Sequence, residues 1–128
     1  MVVMITPYAD CASARDSAAR FVAEHCPWAD LDAVQLVVTE LTANALRHTA
    51  GWWRLRLRAD PGVLAVELDD SSTALPEART PDFTGGGGGF GWPMVLSLAS
   101  RVEVQPTPAG KTVRAIWSHD HGIGTEAA

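Results

Sequence analysis

Apolar residues recur at three- and four-residue steps through Leu31, Val34, Val38, Leu41 and Ala45, the spacing by which a helix turns one face to a core. The same segment carries Glu40, Asn44 and His48 four residues apart, with Arg47 beside them. Positions four apart advance about 40° around a helix, so these polar groups form a stripe on the other side. Asp30 opens this helix, and Thr49 to Gly51 are expected to close it, glycine permitting the turn out. Upstream, Val2 to Tyr8 reads as a strand with Pro7 at its end. A first helix follows, with Ser13 and Asp16 as its capping box. Its apolar stripe is Ala14, Ala18, Phe21 and Val22, and it stops before Pro27.

Further on the period changes to two. Trp52 to Ala59 and Val63 to Asp70 alternate on either side of Asp60-Pro61-Gly62, which predicts an antiparallel hairpin. Within the second run, Leu64, Val66 and Leu68 share a face with Asp70, whereas Val63, Ala65 and Glu67 share the other with Asp69. Asp70 is thereby aimed coreward at a strand end, and Asp69 is assigned to solvent. A carboxylate on the rim of an apolar face needs a hydrogen-bonding partner; a polar ligand atom would supply one, or Asp70 would cap its own turn. From Ser71 to Gly89 the pattern gives way to Ser, Thr, Pro and five consecutive glycines, which predicts a mobile loop. Helix returns at Gly91, with Val95, Leu98 and Ala99 packing and Trp92 as a further packing residue. Arg101 to Gln105 and Lys111 to Trp117 then form a second hairpin.

The 128 residues suit one domain with a single core, expected over residues 1–118, with 119–128 as a flexible tail. The longest apolar runs fall far short of the roughly 20 residues that span a bilayer. No basic leader or cleavage pattern precedes Pro7, so a soluble cytoplasmic protein is expected. A net charge of −5 argues against broad binding to nucleic acid or anionic membranes. Arg54, Arg56 and Arg58 alternate with Trp53, Leu55 and Leu57 as the wet face of a strand, the other reading being a patch for an acidic partner. Cys11 and Cys26 lack metal-like spacing and are expected to be free, partly buried thiols. His119 and His121 have no third ligand, and Gly110-Lys111-Thr112 lacks the earlier glycine and following helix of a P-loop.

A glycine-rich loop leading into a helix amino terminus presents unpaired N–H groups and the positive dipole end, which suits phosphate, although a plain linker explains the run as well. Asn44 offers a neutral oxygen of the kind Mg²⁺ accepts alongside phosphate and water, and Glu40 one turn earlier is placed to hold or deprotonate a hydroxyl. Together, Glu40-x-x-x-Asn44-Ala45-x-x-His48, Asp70-x-Ser72, Gly89-Phe90-Gly91 and Gly110-Lys111-Thr112 resemble the Bergerat-fold ATP-binding superfamily of gyrase, histidine kinases and heat-shock chaperones. Within it, the chain is most similar to the bacterial anti-sigma-factor serine kinases and their actinobacterial relatives, from about Ala12 to Trp117.

That resemblance implies an α+β two-layer sandwich in which a mixed, mostly antiparallel sheet is covered on one face by three helices. It implies ATP and Mg²⁺ as ligands, with Glu40 as the catalytic general base and Asn44 on the metal. Asp70 would accept a hydrogen bond from the adenine amino group, and Thr112 would border the adenine. Gly89 and Gly91 would pass close to the phosphates, with Arg47 and His48 near the β- and γ-phosphates and residues 71–88 as the ATP lid. Kinases of this kind phosphorylate a serine on a small anti-anti-sigma (STAS-type) protein and hold a sigma factor when that partner is absent; relatives commonly form homodimers. Two departures stand out. Phe90 occupies a position where many relatives have arginine, which removes a γ-phosphate contact and points to a non-catalytic regulatory module as the alternative. Ser72 replaces the glycine usual after the adenine-reading aspartate, as is common in the anti-sigma-like branch.

Overall fold

A computed structural model describes residues 1–7, 11–48, 52–72 and 91–119. In chain order the elements are β1 (Val2–Pro7), α1 (Cys11–His25), α2 (Leu31–His48), β2 (Trp53–Asp60), β3 (Val63–Asp70), α3 (Gly91–Leu98), β4 (Arg101–Thr107) and β5 (Gly110–Ser118). The strands form one sheet in the order β1-β2-β3-β5-β4, and each described pairing is antiparallel. Three helices against one sheet is the architecture expected from sequence, but the sheet is antiparallel at each described pairing rather than mixed. Both edge strands contain a proline, Pro7 at the end of β1 and Pro106 in β4, where a missing N–H is tolerated.

The helices bury the stripes their periodicity marks out. Ala14, Ala18, Phe21 and Val22 of α1 and Val34, Val38, Leu41 and Ala45 of α2 are buried in one core with Trp53, Leu55 and Leu57 of β2 and Leu64, Val66 and Leu68 of β3. α1 begins at Cys11, so Ser13 and Asp16 lie inside its first turns rather than capping it. Asp30 does cap α2, its Oδ1 accepting from the Ala33 N–H at 3.2 Å. α3 packs on α2 through the buried Val95, with Trp92, Leu98 and Ala99 partly buried around it. Its far end is tied to the sheet by Trp117, whose indole N–H donates to the Leu98 carbonyl at 3.0 Å. The hairpin between β2 and β3 turns at Pro61-Gly62, with Gly62 at a φ of 71°, the left-handed region glycine enters without a Cβ clash.

His119, the first residue of the expected tail, is held in place. Its N–H donates to the Gly62 carbonyl at 2.8 Å, and its ring lies 5.0 Å from that of Trp28. Cys26 is a free thiol buried in the core, and that burial raises its pKa. Among the described residues, no helix is long and apolar enough to cross a membrane.

Candidate functional site

The register of the central strands sets Asp70, at the end of β3, directly across from Lys111 on β5 and Trp53 on β2. Alternation puts all three on the helix-covered face, and both Asp70 and Lys111 are 1% exposed. The coreward direction expected for Asp70 is therefore observed. Its partner comes from within the chain: Lys111 Nζ stands 3.1 Å from Oδ1 and 3.0 Å from Oδ2, and the Ser72 N–H donates to Oδ1 at 2.9 Å. Asp70 thus caps its own turn and also holds a buried cation. Gly110 lets β5 approach this strand end, because a Cβ there would collide with the Asp70 carbonyl oxygen and sit 2.8 Å from both C and Cα of Ser71.

On α2, Glu40 and Asn44 lie one turn apart at half-buried positions, and Arg47 is exposed. Burial lifts the Glu40 carboxyl above the usual glutamate range, with the positive charge of Arg47 pulling partly against it. A carboxylate shifted in this sense is a better proton acceptor than an ordinary glutamate at neutral pH. Among the described residues no three His, Cys, Asp or Glu side chains gather to hold a metal. One neutral oxygen from Asn44 fits Mg²⁺, which takes one or two protein ligands and fills its shell with phosphate and water, and does not fit a zinc centre.

Thr112 does not join Asp70. Being one residue on from Lys111, it points through the opposite face, where its hydroxyl donates to Asp69 Oδ1 at 2.6 Å. That outer face is a lattice of ion pairs rather than an open wet surface. Asp69, 5% exposed, accepts from Arg54 Nε at 3.0 Å and Arg56 at 2.9 Å, while Glu67, 1% exposed, is paired with Arg56, Arg58 and Arg114. Arg56 Nε lies 2.8 Å from Asp69 Oδ2, yet it is aligned too poorly to hydrogen-bond and is left unsatisfied. Burial pushes the Asp69 carboxyl up, but hydrogen bonds from Arg56, Thr112 and Arg54 and the charge of Arg56 outweigh it, leaving the group below the usual aspartate range. The sign follows: this stabilisation is present in full above the unfolded-state pKa of about 3.9 and is lost as pH falls through the lower folded value. Urea midpoints measured from pH 6 to pH 2.5 should therefore drop steeply below about pH 4 in the parent. Asp69→Asn is expected to flatten that drop; an unchanged slope would sink the assignment.

The side chain of His48, together with Gly89, Phe90, most of the expected lid and His121, lies outside the described residues, as does the side chain of Cys11; Gly91 is described as the first residue of α3. Lys111 is the site residue that the spacing of motifs did not single out. The signal was available in the alternation of Lys111, Val113, Ala115 and Trp117, which places the lysine on the buried face of β5.

A carboxylate buried at the end of a central strand, and an acid-amide pair on a helix packed against that sheet, belong to one α+β sandwich. The chain belongs to the histidine kinase-like ATPase domain family, whose match runs over residues 7–117. Its fold is similar to that of the histidine kinase domain of the E. coli osmosensor EnvZ, determined by NMR, at a TM-score of 0.52 and 14% identity. That similarity covers 94% of this chain and 91% of the EnvZ domain. No curated protein matches the sequence.

Proposed function

We propose that this chain binds ATP with Mg²⁺ and transfers phosphate to a serine of a small protein partner, as an anti-sigma-factor serine kinase within a partner switch. The observation that carries the nucleotide part is the buried Asp70 at the end of β3, in a chain of this family whose α2 also presents Glu40 and Asn44. Asn44, together with water, would hold Mg²⁺, which would supply positive charge against the transferring phosphate. Asp70 orients the base through its amino group. Glu40, with its raised pKa, takes the proton from the attacking serine hydroxyl, and Arg47 balances phosphate charge. The partner is an anti-anti-sigma protein of the STAS type, a sigma factor is the target released or held, and a homodimer is the working unit.

Glu40→Gln tests the chemistry. ATP affinity is expected to stay within about threefold, because the glutamine keeps size and hydrogen bonding, while phosphoserine formation on an anti-anti-sigma partner falls by a hundredfold or more, in line with the usual worth of a general base. The raised pKa gives a second readout. An acid with a raised folded-state pKa stabilises the fold below its unfolded value and ceases to as pH rises through the folded value, so at pH 7 the ionised Glu40 is a burden. The melting temperature of Glu40→Gln at pH 7 should equal or exceed that of the parent; a clear drop would mean Glu40 is a structural residue. Phe90 supports a second reading, a regulatory module that binds nucleotide without turnover. ATP binding with no phosphoserine in the parent chain, against a panel of STAS partners, would favour it.

A further inference from the structure

We propose that Lys111 is a base-reading residue, donating to the ring nitrogen that adjoins the amino group read by Asp70; this rests on the nucleotide reading of the site given above. An ammonium has three N–H donors and a carboxylate about four acceptor positions. Among the described residues, Asp70 Oδ1 is filled by Ser72 N–H and Lys111, whereas Oδ2 accepts from Lys111 alone. One acceptor position is left on Oδ2. Lys111 has no partner among the described residues besides Asp70, so at least one of its three N–H groups is also left. The open acceptor and open donor belong to atoms 3.0 Å apart on one buried face.

A group that donates and accepts at neighbouring positions satisfies both at once. The amidine edge of adenine is such a group: N6 donates to Asp70 Oδ2 and N1 accepts from Lys111 Nζ. Both side chains are 1% exposed, so a base that reaches them replaces part of their cover, and polar groups withheld from water gain most from a matched partner. The strand register makes Lys111 the group for this task, since Thr112 is committed to Asp69 on the far face.

The test needs no mutation at first. Calorimetric titration of the full chain with Mg²⁺ compares ATP with 1-deaza-ATP, in which N1 is a C–H and everything Asp70 reads is kept. The analogue is expected to bind at least about tenfold more weakly, the usual loss when a hydrogen bond from a charged group is left unmade. In Lys111→Met, verified as folded by circular dichroism, the two nucleotides should bind equally. Equal affinity in the parent overturns the role of Lys111 while leaving nucleotide binding intact, and GTP binding as tightly as ATP overturns it in favour of a carbonyl-reading lysine. Failure of ATP itself to bind overturns the nucleotide reading and this proposal with it.

Discussion

Asp70→Ala is expected to destabilise the chain by about 3–5 kcal/mol, because it strands the Lys111 ammonium in a site where both partners are 1% exposed. Against a typical domain stability of about 5–15 kcal/mol, that loss leaves a fold close to its limit. The penalty is that of an orphaned buried charge rather than the worth of the pair. Removing both charges together tests this distinction: Asp70→Asn combined with Lys111→Met keeps volume and polarity on one side, and should recover to within about 2 kcal/mol of the parent, since matched uncharged replacements of buried pairs are often neutral. Urea unfolding of the parent, the single variant and the double variant at pH 7 decides it. A single variant within about 1 kcal/mol of the parent would show that water reaches the ammonium and that the pair is not a buried one. The consequence for function is practical. An Asp70 variant that fails to bind nucleotide has lost either its ligand contact or its strand end, and the double variant is the control that separates the two.

How much of this was legible in the sequence depended on the range over which each residue acts. The face of α2 that packs, the polar stripe of Glu40 and Asn44, and the coreward aim of Asp70 are consequences of local periods of 3.6 and 2, and each stands where the period puts it. What a period cannot supply is the neighbouring strand. The bond between Lys111 and Asp70 joins residues 41 apart, and it becomes visible only once β3 and β5 are known to be adjacent and in register. Asp69 shows the same gap. Its outward direction was correct, but outward on the central strand means beneath Arg54 and Arg56 rather than in water. Lysine, too, is rarely buried unless paired, so the short Gly110-Lys111-Thr112 motif drew attention to Thr112, whose hydroxyl the strand turns away.

Gly110→Ala is also expected to be damaging, by steric displacement instead of charge. The added methyl would collide with the Asp70 carbonyl oxygen and lie 2.8 Å from both C and Cα of Ser71, and all three are backbone atoms of an ordered strand end that no rotamer change can move aside. Relief requires β3 and β5 to part where Asp70 meets Lys111, and overpacking of this kind costs about 1–3 kcal/mol or more. The same displacement separates the Asp70 carboxylate from the Ser72 N–H and from Lys111 Nζ, so stability and ATP affinity should fall together. That coupling distinguishes the steric variant from the charge variants. Asp70→Asn with Lys111→Met alters the proposed base contact while largely keeping the fold, whereas Gly110→Ala keeps every side chain of the site and loses their placement. Thermal melts and ATP titrations on Gly110→Ala give the answer: a melting temperature unchanged within a degree or two would mean that the two strands are further apart at this point than the 2.8 Å approach to Ser71 implies.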